Sequence, residues 1–449
     1  MNKYLELLHK GDYEELVNIA FPVLETDPDA ARAFLRMCQS KNILFILDEH
    51  HEVNNFFIDE AEKGNRYAQF AYARKQCMMR DLENSLWISY RNFQAAADQN
   101  LPDAYAGLAM CYEYGDIGTV DRAKADELLE KSIAMGSELG KIYKLKNLCF
   151  GRRFEFAQPE KAVEYATQLI AEDEANGIEP NGWYYYYRAT ANESHIGRSY
   201  HIVLDDYMRA MELGVIEAYA DIAMAYGYGD EGDVLIMSKE YNEYILQGLT
   251  RRSAGAYFLD AAREMKRYDV LDESYREQDI EYKDVPSATL HSCHEAIHSR
   301  LSESAQLGDF GAWEMLGDMY FDGLYGFKQD HEKAFICYTN GAIHDHVASI
   351  EKLWKMMHNH YIDRPLDYVD SIALQGARNG SKRLLAETVI IHQEGRLSEF
   401  ANEIEKYYEP IFDAPEFTLD NDDDWRETID SLFGDDDQPD DDGRYDAWA

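Results

Sequence analysis

A helix stop that returns about every 36 residues is the feature of this sequence that most limits what the chain can fold into. Nine residues close predicted helices in equivalent positions, and five of the eight steps between them are 36 residues long. Six of the nine are glycine and one is asparagine, which readily adopt the left-handed conformation of a helix C-terminus. A fixed period of this length predicts one continuous repeat array. We call these residues the anchors: Gly64, Asn100, Gly136, Gly177, Gly214, Thr250, Gly308, His344 and Gly380.

The residues that follow the anchors share a helical pattern. Small residues come four positions later in most units, large apolar residues eight later, and tyrosines twelve later, so all three lie on one face of a helix. A glycine fifteen positions after the anchor ends that helix. Each unit is therefore predicted to be a pair of helices. The small residues are Ala68, Ala104, Gly140, Ala218, Ala254, Ala312 and Ala348, and the closing glycines are Gly115, Gly151, Gly229, Gly323 and Gly395.

Three stretches carry the pattern most clearly: AYAGLAMCYEYG at 104–115, AYADIAMAYGYG at 218–229, and AWEMLGDMYFDG at 312–323. With KAFICY at 333–338 they resemble the Sel1-like repeat, a relative of the tetratricopeptide repeat. The resemblance implies an all-α fold, an α-solenoid of stacked antiparallel helix pairs that form a right-handed type of superhelix. It also implies a role in protein–protein interaction without a shared set of catalytic residues. We expect about ten helix pairs, with different loops after Gly64, Thr250 and His344, which lack the closing glycine.

Three segments follow from this alignment. Residues 1–43 are expected to form N-terminal capping helices, residues 44–412 the repeat array, and residues 413–449 an acidic tail. One step within the array, from Thr250 to Gly308, is 58 residues long, and its excess maps to an insert at about 266–287. The insert is either a functional element or an extension of the helices, and the sequence leaves both open.

The chain is strongly acidic, with a formal net charge of −41 at pH 7. This charge disfavours direct binding to nucleic-acid phosphate or to anionic lipid, and it favours a basic protein partner. The tail holds 13 Asp and 2 Glu against 2 Arg, too polar a composition to fold alone. Within it Trp425, Ile429, Leu432 and Phe433 share one face of a short helix. They are either a binding motif or incidental apolar residues in a solubilising tail.

Aromatic residues in the array are further candidates for partner binding. Trp183 and Tyr187 lie six and ten positions after an anchor, and Trp354 lies ten after another. In the resembled family this helix tends to line the concave groove, which would suit a peptide or a helix. The same side chains could fill the space between units, and aromatic residues at helical spacing usually pack in the core.

Two enzyme-like motifs occur. His294-Glu295-Ala296-Ile297-His298 matches H-E-x-x-H, which on a helix could bind zinc through both histidines, but no third ligand is placed for it. Gly227 to Gly232 matches G-x-G-x-x-G without the preceding strand that a dinucleotide site requires. We therefore expect no cofactor and no catalytic residues. The six cysteines form no CxxC pair and suit a reducing compartment. The absence of a leader and of a long apolar run favours a cytoplasmic protein.

The sequence thus predicts a non-enzymatic scaffold or adaptor that binds a partner protein or peptide in a concave groove. An acidic inhibitor or immunity-type protein, or a nucleic-acid mimic that binds a basic partner, is the main alternative. A zinc hydrolase that uses residues 294–298 is a more distant one.

Overall fold

A computed structural model describes residues 2–48, 51–79, 84–118, 120–151, 157–193, 200–227, 238–277 and 287–412. Every regular element in these ranges is a helix. The chain divides into two compact units, residues 1–349 and 350–449. The helices are α1 (Lys3–Lys10), α2 (Tyr13–Ala20), α3 (Pro28–Met37), α4 (Lys41–Asp48), α5 (His51–Glu62), α6 (Arg66–Met79), α7 (Ser85–Asp98), α8 (Pro102–Tyr114), α9 (Arg122–Ala134), α10 (Glu138–Phe150), α11 (Pro159–Ala175), α12 (Gly182–Glu193), α13 (Tyr200–Glu212), α14 (Ala218–Gly227), α15 (Lys239–Thr250), α16 (Ala254–Glu277), α17 (Ser287–Gln306), α18 (Gly311–Asp322), α19 (His331–Ile343), α20 (Val347–His358), α21 (Leu366–Asn379), α22 (Lys382–Gln393), α23 (Ala401–Tyr407) and α24 (Glu409–Phe412).

Successive helices pack against each other both across the anchor turns, as α5 with α6 and α7 with α8, and across the loops between anchors, as α8 with α9 and α16 with α17. In the first unit, the helices that follow the anchors, α6, α8, α10 and α12, also contact one another in series. These helices therefore form one layer, and those that precede the anchors form the other. The predicted all-α fold of stacked helix pairs is confirmed.

The helix boundaries follow from local side-chain chemistry. Ser137 caps α10 by accepting a hydrogen bond from the amide of Gly140 at 2.9 Å, and Ser381 caps α22 in the same way. Asp121 and Asp330 cap α9 and α19 through the amides three residues later. Each of these side chains satisfies a helix amide that has no partner within the helix.

The anchors behave as predicted in seven of the nine units. All six anchor glycines and Asn100 have positive φ, between 58° and 99°. In the other two units the left-handed residue is not the predicted anchor but Arg252, with φ of 60°, and Asp345, also with φ of 60°. Spacing alone places Thr250 and His344 at the anchor position. The helices there run one or two residues further, because neither residue is a glycine that would stop them.

Small residues allow the paired helices to approach closely. A Cβ at Gly317 would lie 2.3 Å from a ring carbon of Tyr338 on α19, and a Cβ at Gly107 would lie 2.5 Å from the ring of Phe93 on α7. The glycines are therefore required by packing rather than by backbone conformation. The aromatic rings fill the space that the missing side chains leave.

The long step between Thr250 and Gly308 lengthens a helix pair. Residues 266–277 extend α16, which is 24 residues long, and they pack against α17. Tyr268 is buried against Tyr325, with ring centroids 5.6 Å apart. Of the two interpretations of the insert, the helix extension describes residues 266–277, and residues 278–286 lie outside the described ranges.

The second unit contains most of α20 and α21 to α24, and its described part ends at Phe412. The Arg378 guanidinium donates to both carboxylate oxygens of the buried Glu403, at 2.9 and 2.8 Å, and Tyr408 donates to the same carboxylate. This ion pair joins α21 to α23. No helix within the described ranges is both long and apolar enough to cross a membrane.

Candidate interaction surface

Residues 3–48 form four helices that we call the N-terminal arm. Its apolar face packs on α5 and α6, where Phe34 lies 5.8 Å from Phe57 and 6.4 Å from Tyr67 between ring centroids. Polar side chains between residues 36 and 42 form its edge and run past the turns at five successive anchor positions, from Gly136 to Gly308; they are Arg36, Gln39, Ser40, Lys41 and Asn42. The arm therefore contacts residues as distant in sequence as Phe310.

Arg36 makes the first set of these contacts. Its guanidinium donates to both carboxylate oxygens of Glu138 at 2.8 and 2.9 Å, and to the carbonyl of Glu179 at 2.8 Å. Asn181 donates to Glu138 at 2.6 Å and to Gln39 at 2.9 Å. Arg36 is only 6% exposed. A buried arginine requires such a bidentate partner, because an unpaired charge in the interior is strongly unfavourable.

Ser40 and Asn42 contact the next two turns. The Ser40 hydroxyl donates to Glu217 at 2.6 Å and also caps α4 by accepting from the amide of Ile43. The Asn42 side chain donates to the carbonyl of Arg252 and accepts from the amide of Ala254, both at 2.9 Å. Asn42 thus recognises main-chain groups of the array rather than a particular side chain.

The array in turn holds the C-terminal end of α3. Arg74 of α6 is buried and donates to the carbonyls of Cys38 and Gln39, at 3.2 and 3.3 Å. A cation at this position satisfies helix carbonyls and interacts favourably with the helix dipole.

Further contacts lie at the two ends of this path. The Arg251 guanidinium donates to the carbonyls of Lys10 and His9, and His9 Nε2 lies 3.5 Å from Glu179 Oε1. At the far end Phe45 packs edge-on against Phe310, with ring centroids 6.2 Å apart. Lys41 lies over the same ring at 5.4 Å.

One carboxylate from each of four successive turns faces the arm or the cleft beside it. We call these four residues the carboxylate row: Asp103, Glu138, Glu179 and Glu217, which lie two or three positions after the anchors Asn100, Gly136, Gly177 and Gly214.

The four carboxylates of the row lie in different environments. Burial raises the pKa of Asp103 to about 6, although the Leu139 amide donates to it at 3.2 Å. Burial also raises the pKa of Glu217, and the Ser40 hydroxyl opposes this only in part. Burial alone would raise the pKa of Glu138, but the charge and hydrogen bonds of Arg36 bring it below its ordinary value. The row therefore includes two carboxylates whose negative charge is poorly compensated.

A cleft of about 450 Å³ lies between α3 and the turns at Gly64, Asn100 and Gly136. Leu24, Ala31, Leu35 and Leu101 give it an apolar lining, and the ion pair of Arg66 with Glu25, at 2.6 Å, lies at its rim. Asp103 and Glu138 of the carboxylate row line its acidic side.

The predicted groove aromatics lie mainly in the core. Tyr187 is 8% exposed and Trp354 is 3% exposed, so neither offers more than an edge to a partner. Trp183 is half-buried and stacks on Tyr187 with ring centroids 5.8 Å apart. Of the three, Trp183 presents the most surface, and its role in binding stays a prediction. The four tail residues, Trp425, Ile429, Leu432 and Phe433, lie outside the described ranges.

The H-E-x-x-H motif lies on α17, as predicted. His294 Nδ1 lies 3.3 Å from the carbonyl oxygen of Tyr325, and the His294 ring packs against Phe327 at 4.4 Å. Burial, with the charges of His294 and Lys333, lowers the pKa of His298. Within the described ranges, no group of three or more His, Cys, Asp or Glu could hold a metal ion. Of the G-x-G-x-x-G motif only Gly227 is described. The six cysteines are free thiols.

Comparison with known proteins gives structural neighbours only. A Sel1 repeat protein from Oxalobacter formigenes is 14% identical to this chain over 76% of it and 91% of that protein, with a TM-score of 0.34. A protective antigen present in uropathogenic Escherichia coli strains, which displays an SLR fold, is 15% identical over 94% of this chain and 99% of that one, with a TM-score of 0.33. Both are repeat proteins of the kind that the sequence resembles. No family model matches the chain, and no curated protein matches it.

The sequence did not point to Arg36, Ser40 or Asn42, because residues 1–43 looked like an end unit of the stack. An end unit would contact one neighbour, whereas these three residues contact turns more than 100 residues away. The one available signal was the polar run QSKN at 39–42, which interrupts an otherwise apolar segment.

Proposed function

We propose that this chain is a non-enzymatic protein-interaction scaffold whose repeat array holds a polypeptide segment of a partner. The observation that carries the proposal is the seating of residues 36–45 across the turns of the array. Side chains hold main-chain groups in both directions there, as Asn42 and Arg74 show. Contacts of this kind hold extended or helical segments through their backbone.

The partner of this proposal is a basic protein. A formal net charge of −41 repels polyanions and steers basic proteins toward the chain. In this proposal the acidic tail, 413–449, adds a second contact through Trp425, Ile429, Leu432 and Phe433, and Trp183 contributes from the array.

Affinity capture tests the proposal. The intact chain, a chain that lacks 413–449, and a Trp183→Ala chain are used as baits in cell extract, and retained proteins are identified by mass spectrometry. We expect the intact chain to retain a basic protein that binds again when purified, and the tail-deleted chain to retain less of it. Circular dichroism must show that both variants keep their helices.

The outcomes separate the parts of the proposal. If the tail-deleted chain retains as much of the partner as the intact chain, the tail motif does not contribute to binding. If the Trp183→Ala chain retains as much, Trp183 does not contribute. If no basic protein binds again in purified form, the scaffold function is wrong. A third outcome is that high salt abolishes retention, while the tail deletion and Trp183→Ala leave it unchanged. This outcome favours the acidic inhibitor or nucleic-acid mimic, because salt screens the attraction between diffuse charges.

A further inference from the structure

We propose that the carboxylate row is the docking surface for a basic, arginine-bearing segment, and that the N-terminal arm occupies this surface until such a segment displaces it. This inference rests on the proposed scaffold function and names its surface, its partner chemistry and its regulation.

The arm shows what the row accepts. Glu138 receives a bidentate arginine, Glu217 receives a hydroxyl, and the Glu179 carboxylate faces the imidazole of His9. Each donor comes from the arm and each acceptor from the array. The row is thus a set of acceptors at the spacing of the repeat, with a polypeptide segment already seated on it.

The arm is attached to the array in two physically different ways. Phe34, Met37 and Ile43 pack in one apolar cluster with Phe57 and Tyr67. The side chains of Arg36, Ser40 and Asn42 are held instead by hydrogen bonds. A competing segment can offer the same hydrogen bonds, so exchange at the edge has a small net cost. The apolar face can keep the arm tethered during that exchange.

These contacts also define the chemistry of a segment that can displace the arm, which we call the competitor. It must supply a guanidinium to Glu138, a hydroxyl or ammonium donor to Glu217 four residues later, and an amide side chain two residues after that. Lysine cannot replace the arginine at full strength, because only a guanidinium makes the bidentate pair. In the arm these positions are Arg36, Ser40 and Asn42.

The first experiment measures whether the edge opens. Cys38 lies in the arm, is fully buried, and accepts from Arg74 of the array through its carbonyl, whereas Cys111 is fully buried within the array. Alkylation of both thiols in the native full-length protein, resolved by peptide mass spectrometry, compares arm opening with array opening in one molecule. Asn42→Ala should speed alkylation of Cys38 by about tenfold or more, since two buried hydrogen bonds are lost, and leave Cys111 unchanged.

Asn92→Ala is the matched control. Among the described residues, the Asn92 side chain donates to the carbonyl of Ile88 in its own helix, so neither thiol should react faster. If Asn42→Ala leaves the Cys38 rate at the wild-type value, the edge is not displaceable and the proposal is overturned. If both thiols accelerate equally, Asn42→Ala unfolds the array, and the milder Ser40→Ala decides by the same criterion.

The second experiment uses a labelled synthetic peptide of residues 28–48. We expect it to bind the Asn42→Ala chain at least about tenfold more tightly than wild type, where the arm competes. The same peptide with Arg36→Gln should bind weakly, and a second change, Glu138→Gln in the protein, should remove the difference between the two peptides.

An open edge without peptide binding overturns the docking surface. A concentration-dependent dimer of Asn42→Ala with a protected Cys38 shows exchange between copies and overturns occupancy within one chain. Neither readout uses a native partner, so the peptide can bind while affinity capture finds no basic protein. That combination refutes the proposed function and leaves the proposed docking surface standing. If affinity capture finds a basic protein but the peptide does not bind, only the docking surface is refuted.

Discussion

Replacing Asp103 with asparagine should stabilise the protein at neutral pH and not at acid pH. Asp103 is 4% exposed and lies at the N-terminal end of α8. Its carboxylate accepts from the Leu139 amide, and burial raises its pKa to about 6 from an ordinary value of 3.8. Glu138 on α10 adds repulsion. Arg74 on α6 is the positive charge that acts in the opposite direction.

The magnitude follows from linkage. A folded-state pKa raised by about two units means that ionisation of Asp103 costs the folded state roughly 3 kcal/mol at pH 7. That cost is fully present above the folded value and disappears as pH falls toward the unfolded value. Asparagine keeps an oxygen for the Leu139 amide but loses the attraction to Arg74. We therefore expect a net gain of about 1–2 kcal/mol at pH 7.5 and none at pH 4.

Urea unfolding followed by far-ultraviolet circular dichroism, at pH 7.5 and pH 4, measures the shift in midpoint. Asp205→Asn, at an exposed site on α13, is the control and should show no pH-dependent gain. Because repeat arrays can unfold in parts, hydrogen exchange in α8 and α10 should show that the gain is local to these helices. A variant less stable than wild type by the same amount at both pH values would refute the reasoning and show that the carboxylate is needed for its hydrogen bonds.

Three further outcomes follow from individual contacts. Wild type should gain stability from pH 7.5 to pH 5.5, because burial raises the pKa of Asp103 to about 6 and that of Asp221 to about 7; a urea midpoint that falls over this range would contradict it. Gly317→Ala should destabilise by about 1–3 kcal/mol, since its Cβ would overlap the Tyr338 ring, whereas Gly311→Ala, where the nearest atom is 3.4 Å away, should cost far less in a thermal melt. If the zinc interpretation of 294–298 is correct, equilibrium dialysis will find one zinc per chain that His294→Ala removes; absence of zinc from both proteins would dismiss it.

The helical repeat was predictable because its signals are local. Glycine at Gly136 or Gly308 stops a helix through its own backbone freedom, and Ala104 or Ala312 marks the close contact within one unit. At Thr250 and His344 the predicted helix end is wrong by one or two residues, because spacing places these anchors without a local stop signal. Of the left-handed residues there, Arg252 has no such preference, and Asp345 has a weaker one than glycine or asparagine.

The candidate surface was not predictable in the same way. Arg36 looks like any helix-surface arginine until it meets Glu138, 102 residues later. Asn42 forms hydrogen bonds with main-chain atoms of Arg252 and Ala254, so no residue type in the array could have predicted the contact. The groove aromatics show the opposite difficulty. Tyr187 and Trp354 occupy positions that the family resemblance assigns to a groove, yet both side chains are buried.

The arm also changes how the array can unfold. In a simple linear repeat each unit contacts only its neighbours, so one unit can open without its distant counterparts. Here Arg36 contacts the turns of two successive units, and Asn42, six residues later, contacts a unit further along the array. These contacts couple units that stacking alone would leave independent. An apolar edge would couple them more strongly but could not exchange for another segment. The hydrogen-bonded edge couples the units and includes Glu217, whose charged form burial disfavours and to which the arm offers only a hydroxyl. A basic competitor that brings an ammonium to Glu217 therefore gains an interaction that the arm lacks.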